Sequence, residues 1–160
     1  MAFELSSSSF SPHGDIPSAH TCDGAGTAPP LAWTGAPSGT KSFALIVDDP
    51  DAPDPNAPKR TYVHWVAYDI PPTASSFVGK DGVVSAGGRE GLNEERQRGY
   101  TGPCPPIGRH RYFFKFYALD TLLGDLGSPT KADLERAMRD HILDKTELVG
   151  LYERKKSHSK

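Results

Sequence analysis

Proline and glycine limit what this chain can fold into more than any other feature of its sequence. Fifteen prolines and sixteen glycines are spread through the 160 residues without a period, which excludes a collagen-like chain. Between them stand short runs of β-branched and aromatic residues, a pattern typical of strands joined by turns rather than of alternating helices and strands. The sequence therefore predicts a mainly β fold, a β-sandwich, in a single domain.

Three apolar runs predict the main strands. Residues 42–48 are almost continuously apolar, which predicts a central strand covered on both faces. Residues 62–70 predict a second strand, which two consecutive prolines end because proline cannot donate to a ladder. Residues 110–119 predict a third strand, entered through the rigid, proline-rich segment 102–108.

Helical spacing occurs towards the end of the chain. Thr130 and Asp133 have the spacing of a capping box. Five residues then fall on one helical face: Leu134, Ala137, Met138, His141 and Ile142. The spacing predicts a short C-terminal helix over residues 131–144, whereas residues 93–98 are polar throughout and predict a loop or a short turn.

Charge and hydropathy exclude several classes of function. The net charge of −2 gives no general electrostatic attraction to nucleic acid or to an anionic membrane. No apolar run approaches the roughly 20 residues that cross a bilayer, and residues 1–9 lack the charged and apolar regions of a signal peptide. We therefore expect a cytoplasmic protein with one domain over residues 1–152 and a flexible basic tail over residues 153–160.

Strand geometry selects candidate site residues, because side chains alternate between faces with a period of two. Three polar groups fall at strand ends: Asp49, His64 and the pair His110 and Tyr112. Each shares its predicted face with apolar residues: Phe43, Leu45 and Val47 beside Asp49, Val66 and Tyr68 beside His64, and Phe114 and Phe116 beside His110 and Tyr112. Buried polar groups need partners, so these are expected to meet one another or a ligand. A lone histidine in a strand is nevertheless more often a packing residue.

Residues 49–55 form a turn that prolines stiffen, so that it loses little entropy when it orders. The simplest interpretation of Asp51 and Asp54 is that their carboxylates are solvated. Asp51 can instead act structurally, either by accepting hydrogen bonds from loop amides or by pairing with Arg111.

The sequence leaves two covalent constraints near this turn open. Pro50 and Pro53 are each candidates for a cis peptide bond, because such bonds occur in tight turns. Cys22 and Cys104 lack the spacing of a zinc site, and in a reducing cytosol they are predicted to be two free thiols. Each lies beside a loop of the candidate site, so a disulfide between them is the alternative.

The motifs DPDAP at residues 49–53 and GPCPPIGRHRY at residues 102–112 are highly specific, and they stand among longer segments in a recognisable order. Those segments are residues 22–33, 42–53, 64–70, 99–119 and 141–152. Together they resemble the phosphatidylethanolamine-binding protein family, and most closely its prokaryotic, Raf-kinase-inhibitor-like branch.

The resemblance implies a Greek-key antiparallel β-sandwich with an anion pocket at one end. It assigns the ligand-binding residues as Asp49, His64, His110 and Tyr112, and the adjacent wall as Gly102, Pro103, Pro105 and Pro106. Four further residues are expected to be structural neighbours of the site: Pro50, Asp51, Pro53 and Arg111. Animal members of the family bind phospholipid headgroups and nucleotides and inhibit kinases, plant members regulate flowering, and homodimers are common in the prokaryotic branch.

The chain departs from the family pattern at two places that are expected to lie near the pocket rim. The link at residues 54–60 is longer than in many prokaryotic members. Glu94, Glu95 and Arg96 stand where the branch usually has an Asp-Phe-Gly-like turn. The long C-terminal extension that closes over the pocket in animal members is not expected here, so the pocket is predicted to be more open.

We expect a protein that binds a small anion, such as phosphate, a phospholipid headgroup or a nucleotide, without a cofactor or a metal. His64 and His110 are expected to donate to the anion, together with the Tyr112 hydroxyl and the amides of residues 102–108. Asp49 would accept a proton from a histidine or from a protonated ligand oxygen. Phosphate affinity is then expected to rise as the pH falls through about 6–7, where histidine gains its charge.

Other classes of function stay open at this point. A hydrolase would use Asp49 with His64 or His110 as acid and base, and the same three residues would suit a metal ion. The chain has no GxSxG elbow, and Cys104 stands between two prolines, a poor position for a nucleophile. A protein-interaction module, whose surface changes when the ligand binds, is the remaining class, and the sequence does not identify its partner.

Overall fold

Two antiparallel sheets dominate the computed structural model, which describes residues 2–79 and 81–154. The smaller sheet has the strand order β1-β2-β5, with bounds β1 Glu4–Ser6, β2 Leu31–Thr34 and β5 Ser76–Phe77. The larger sheet has the order β6-β4-β3-β7-β8, with bounds β3 Ser42–Ala52, β4 Arg60–Ile70, β6 Arg89–Glu90, β7 His110–Leu119 and β8 Ile142–Tyr152. The prediction of a mainly β, antiparallel fold is confirmed.

The helical segments are short and lie between strands. Helix α1 spans Gly82–Ser85, helix α2 spans Lys131–Met138, and a single 3₁₀ turn covers Ser18–His20. In the part of the chain that the structure describes, no helix has the length and hydropathy needed to cross a bilayer.

The nearly continuous apolar run of β3 lies in the middle of the large sheet, paired with β4 on one side and β7 on the other. On one face the ring of Phe43 packs 5.2 Å from that of Phe116, which lies 4.5 Å from the Trp33 ring of the small sheet. On the other face Ile46 belongs to a second cluster with Leu134 of α2. The prediction of a strand covered on both faces is confirmed, and it explains why the run does not alternate with polar residues.

Helix α2 begins where the sequence predicts. The Thr130 hydroxyl accepts from the backbone N–H of Asp133 at 3.2 Å, and the Asp133 carboxylate accepts from the N–H of Thr130 at 3.0 Å. This capping box satisfies two backbone donors that the first turn would otherwise leave free.

The same helix ends six residues earlier than the predicted end at residue 144, because its last residue is Met138. Asp140 has a φ of 71°, in the left-handed region that a right-handed helix cannot contain. The chain then forms β8, whose ladder with β7 runs from the Ile142–Leu119 pair to the Tyr152–His110 pair. The prediction that His141 and Ile142 continue the helical face is therefore wrong, since a long ladder of main-chain hydrogen bonds prevails over the helical spacing.

Candidate functional site

A cavity of about 550 Å³ opens where the end of β3 lies beside the beginnings of β4 and β7. Two loops, which include residues 21–26 and 101–106, complete its walls. Seven of the eight residues predicted for the ligand site line it: Asp49, His64, Gly102, Pro105, Pro106, His110 and Tyr112. The eighth, Pro103, is buried and contributes its carbonyl oxygen to a 3.0 Å hydrogen bond from the N–H of Cys22.

On β3 and β7 the predicted alternation of side chains holds. Residues of the two predicted stripes belong to one core cluster: Phe43, Leu45 and Val47 of β3, with Tyr112, Phe114 and Phe116 of β7. Asp49 continues the first stripe and His110 begins the second. The two meet because β3 and β7 are antiparallel neighbours, so that the end of one lies beside the start of the other.

On β4 a bulge changes the alternation. Val47 of β3 pairs with Trp65, but the next residue, Asp48, pairs with Val63. His64 is therefore an extra residue on β4, as in a β-bulge, and such a residue changes the face towards which the following side chains point.

The bulge separates His64 from the residues predicted to share its face. Val66 and Tyr68 pack in the cluster around α2, whereas the His64 ring lies edge-on to the Tyr112 ring with 5.2 Å between centroids. The prediction that His64 lines up with Val66 and Tyr68 is wrong. Because of the bulge, His64 faces the cavity, while the rest of β4 keeps its apolar side chains in the core.

The tautomer of His64 follows from its contacts. Nδ1 lies 2.8 Å from the carbonyl oxygen of Thr101, an atom that can only accept, so Nδ1 carries the hydrogen. Burial lowers the pKa of His64 to about 4, which keeps the ring neutral at physiological pH. Nε2 is then a lone-pair acceptor, and among the described residues it has no hydrogen-bond partner, although its side chain lines the cavity. The prediction that His64 donates to the anion is therefore wrong.

Both ring nitrogens of His110 are bonded to protein oxygens. Nδ1 lies 2.5 Å from Asp49 Oδ2, and Nε2 lies 2.8 Å and 3.1 Å from the carbonyl oxygens of Ile107 and Pro53. Nε2 therefore donates to carbonyls, and one proton lies between Nδ1 and the carboxylate. Because His110 keeps no N–H for a ligand, the prediction that it donates to the bound anion is wrong. The prediction that Asp49 accepts a proton from a histidine agrees with this geometry.

Asp49 is held from two sides and is almost fully buried. Oδ1 accepts from the backbone N–H of Asp51 at 2.7 Å, while Oδ2 faces His110. Burial raises the pKa of Asp49, and the hydrogen bond from His110 opposes that rise. The pair shares one proton and is net neutral, so its carboxylate presents little uncompensated negative charge to an incoming anion.

A metal ion held by Asp49, His64 and His110 was one predicted alternative. Over residues 2–79 and 81–154, no group of three or more His, Cys, Asp or Glu side chains is arranged to hold a metal ion. Nδ1 of His64 and both nitrogens of His110 point instead at protein oxygens.

Tyr112 brings an unsatisfied hydroxyl to the cavity. The side chain is 1% exposed, and its hydroxyl has no hydrogen-bond partner within the described residues. Burial raises the pKa of Tyr112 above its usual value, so the group stays protonated. The rings that carry this hydroxyl and the His64 acceptor are thus in edge contact at the cavity, and neither polar atom has a partner among the described residues.

The loop at residues 101–106 adds backbone donors. The N–H groups of Gly102 and Cys104 have no acceptor in the hydrogen bonds of the described chain, and both residues line the cavity. Its three prolines have no N–H. Gly102 is required for packing, because a Cβ there would lie 2.9 Å from the carbonyl oxygen of His20. The loop therefore offers few donors, at positions fixed by close packing.

The sequence model of the phosphatidylethanolamine-binding protein family matches residues 6–153. The chain belongs to this family. The UPF0098 protein of Methanothermobacter thermautotrophicus is 44% identical over 153 residues, which cover 94% of this chain and 98% of that relative.

Two solved structures have the same fold. A crystal structure of a phosphatidylethanolamine-binding protein homologue from Chlamydia trachomatis has a TM-score of 0.89 and 38% identity, covering 96% of this chain and 99% of its own. That of Escherichia coli YbcL, described as a new member of the mammalian family, has a TM-score of 0.85 and 30% identity, covering 97% and 100%. The family assignment made from the motifs is confirmed, whereas the Raf-kinase-inhibitor-like label stays a prediction.

In this family member the two cysteines are joined. Cys22 and Cys104 form a disulfide with their Cα atoms 5.4 Å apart, so the prediction of two free thiols is wrong and the alternative is confirmed. The backbone bond from Cys22 to Pro103 already holds the two loops together, which brings the sulfurs within reach. The disulfide closes the cavity wall and leaves Cys104 without a free thiol.

The loop at residues 21–26 is also tied to the end of β8. The carboxylate of Asp23 accepts from the Tyr152 hydroxyl at 2.5 Å and from Arg154 at 2.9 Å, and the bond from Arg154 is the main reason that the pKa of Asp23 is lowered. Arg154 belongs to the predicted tail, of which residues 155–160 lie outside the described residues. Sequence reasoning placed Cys22 beside a loop of the site, but it named no residue of this loop as a ligand-binding residue.

Strand β3 continues to Ala52, so the prediction that a turn begins at Asp49 is wrong, and this end of the strand is held by Asp51. Its carboxylate accepts from the backbone N–H and the guanidinium of Arg111 at 2.8–2.9 Å, and that contact lowers the pKa of Asp51. A solvated Asp51 is therefore wrong, and its structural alternative is confirmed. Of the two predicted candidates for a cis bond, the peptide before Pro53 is cis and that before Pro50 is not.

Three further residues form part of the rim: the sequence analysis missed Tyr62, whereas Arg60 and Glu95 lie in the two segments that were expected there. The Arg60 guanidinium lies 5.2 Å from the centroid of the Tyr62 ring, and the Tyr62 hydroxyl donates to Glu95. All three line the cavity. The signal was present in β4, since residues two and four positions before His64 share its side of the strand. Glu95 replaces part of the family's usual turn, and the structure places that departure at the rim, as predicted.

Replacing both cysteines by serine tests the disulfide. Closing a loop of 82 residues restricts the unfolded chain, so the double variant should lose about 2–5 kcal/mol of unfolding free energy. Guanidinium denaturation with and without a reductant measures the loss. Reductant should lower the unfolding free energy of the wild-type protein to that of the variant and leave the variant unchanged. Equal unfolding free energies of the two proteins without reductant would contradict the disulfide.

An Asp51→Asn variant tests the Arg111 contact. Because the folded pKa of Asp51 is below its ordinary value of 3.8, the ion pair stabilises the fold fully above that pH and loses its effect as the pH falls through the folded pKa. We expect the variant to lose about 1–2 kcal/mol of unfolding free energy at neutral pH, a modest loss because Arg111 is half-exposed. This loss should become smaller in acid. Urea denaturation as a function of pH measures it, with Asp54→Asn as a matched control; a difference that grows in acid would refute the account.

Proposed function

We propose that the cavity binds a small oxyanion of the phosphate class, either free or as the head of a phospholipid or nucleotide. The observation that carries the proposal is the Tyr112 hydroxyl, which is buried at the cavity without a partner among the described residues. An unpaired buried hydroxyl costs about 1–3 kcal/mol. A ligand oxygen at this position would recover that free energy.

Four further observations bear on the class of ligand. The N–H groups of Gly102 and Cys104 are unpaired in the described chain, and oriented backbone amides can bind an anion without a lysine. The net-neutral pair of Asp49 and His110 reduces repulsion. The volume of about 550 Å³ suits a molecule larger than phosphate, so the anion can be one end of a larger ligand. The family name, which refers to a phospholipid, agrees with this class.

The histidines give affinity a different pH dependence from the one expected from the sequence. That expectation was a rise in affinity as the pH falls through about 6–7. Burial lowers the pKa of His64 to about 4, and both nitrogens of His110 already have protein partners. Neither ring therefore gains a free N–H towards the ligand in that range, and a pH dependence there would come from the ligand.

Removing the Tyr112 hydroxyl tests the proposal. Tyr112→Phe keeps the buried ring and removes one hydrogen bond to a charged oxygen, so phosphate affinity should fall about 10- to 100-fold. Isothermal titration calorimetry at neutral pH measures this change. Tyr117→Phe, on the opposite face of the same strand, should bind phosphate like the wild-type protein. Equal affinity of the Tyr112 variant would show that the hydroxyl does not contact the anion.

We propose binding without turnover rather than hydrolysis. A general base needs a free lone pair near the substrate and a pKa near the operating pH. His110 has both nitrogens bonded to the protein, and burial lowers the pKa of His64 to about 4, which makes its free Nε2 a weak base. A screen with ester and phosphoester substrates should give no turnover above that of His110→Ala. Turnover by the wild-type protein that this variant abolishes would favour the hydrolase alternative.

A further inference from the structure

The inner end of the cavity contains acceptors as well as donors, and this mixture restricts the chemical form of the ligand. Nδ1–H of His64 is used by the Thr101 carbonyl at 2.8 Å, which leaves the lone pair of Nε2 directed away from that bond. His64 is 4% exposed, and no other described residue donates to that lone pair. Once a ligand displaces solvent from the cavity, only the ligand can pair with this lone pair. It requires a hydrogen-bond donor, and a fully ionised oxyanion has none.

The surroundings of His64 keep it in this form. Titratable or charged groups approach it from each packed element: Asp48 and Asp49 from β3, Arg60 and Tyr62 from β4, His110 and Tyr112 from β7, and Glu94 and Glu95 from the loop before residue 99. The acidic Asp48 and Glu94 favour the charged ring, but burial outweighs them and holds the pKa of His64 at about 4. The charge of Asp48 is in addition matched by Lys115 and Lys131, at 3.0 Å and 2.8 Å.

The neighbouring groups do not supply the missing hydrogen. The pair of Asp49 and His110 holds a single proton between its two atoms, and Nε2–H of His110 is used by two carbonyl oxygens. The Tyr112 hydroxyl makes no hydrogen bond to His64, although their rings are in edge contact. A ligand that fills the space between them must therefore accept from Tyr112 and donate to His64.

We propose that the site recognises a protonated oxyanion, the monoanion of a phosphomonoester, whose P–O–H donates to Nε2 of His64 while its other oxygens accept from Tyr112 and the loop amides. This inference rests on the proposed function and adds the protonation state of the ligand. A site whose polar atoms match a ligand O–H rejects analogues without it, because those atoms are left unpaired.

Two ligands of equal charge separate the proton from the charge. Methyl phosphate is a monoanion with an acidic O–H below its second pKa of about 6, whereas methyl sulfate is a monoanion without one. At a pH of about 5, titration calorimetry should show methyl phosphate binding at least about tenfold more tightly than methyl sulfate. Between a pH of about 5 and about 8 the apparent affinity for methyl phosphate should fall about a hundredfold, as its monoanion disappears.

A variant of His64 identifies the residue responsible. His64→Gln can turn its amide so that an N–H faces the ligand, so the preference for methyl phosphate should fall at least about fivefold. The matched control is His141→Gln, at a half-exposed histidine outside the cavity that pairs with Asp120, and this variant should keep the full preference. A circular dichroism spectrum and denaturation midpoint equal to those of the wild-type protein show that the variant is folded.

The outcomes separate this inference from the function on which it rests. If both anions bind equally at a pH of about 5 and Tyr112→Phe weakens both, the site binds oxyanions and the inference about the proton is wrong. If neither anion binds, the proposed function fails as well. A preference that His64→Gln leaves unchanged would overturn the role of His64.

Discussion

The contact between Asp49 and His110 is the interaction on which the rest of the site depends. It joins the end of β3 to the beginning of β7, and the other nitrogen of the same ring binds carbonyl oxygens of both adjoining loops, at Pro53 and Ile107. One buried imidazole thus holds two strands and two loops at fixed distances. Breaking such a contact from one side leaves a buried polar group unpaired, which costs more than the contact itself contributes.

Because Asp49 and His110 use their polar atoms to hold the fold together, a ligand can pair only with the polar atoms that remain unpaired. Asp49 and His110 are the most conspicuous ionisable residues of the site, yet they satisfy each other and carry no net charge as a pair. The groups without described partners are less conspicuous: the Tyr112 hydroxyl, Nε2 of His64 and two loop amides. Recognition by such neutral groups depends on hydrogen-bond direction more than on long-range attraction, which fits a chain with a net charge of −2.

Sequence periodicity predicted the parts of the site that lie on regular strands. Asp49, His110 and Tyr112 follow from the alternation along β3 and β7, because those strands pair with each other without a shift. His64 was selected with the wrong neighbours, since the bulge that turns it towards the cavity depends on pairing with β3 and has no local signature. Helix α2 was predicted at its capped beginning and missed at its end, where pairing with β7 determines the structure.

The features that sequence reasoning could not fix are contacts between distant segments. Whether Cys22 and Cys104 pair depends on a distance across 82 residues of chain, and the assumption of a reducing compartment led to the wrong thiol state. Whether Asp51 is solvated depends likewise on the position of Arg111, at the start of β7. The sequence analysis left both contacts open as alternatives, and only the positions of the distant segments in the folded chain decide between them.

These ties determine how the cavity can discriminate between ligands. Its loops are fixed by a disulfide, by the bond of Asp23 to Tyr152 and by the pairing of Asp51 with Arg111, so the cost of ordering them is met when the chain folds rather than when a ligand binds. A mobile loop could turn an acceptor away from a ligand oxygen that carries no hydrogen, but a site that is ordered before binding cannot. Under the proposed function, the direction in which His64 and Tyr112 point, set by a bulge and by burial, is therefore the property that would decide which form of an anion the cavity accepts.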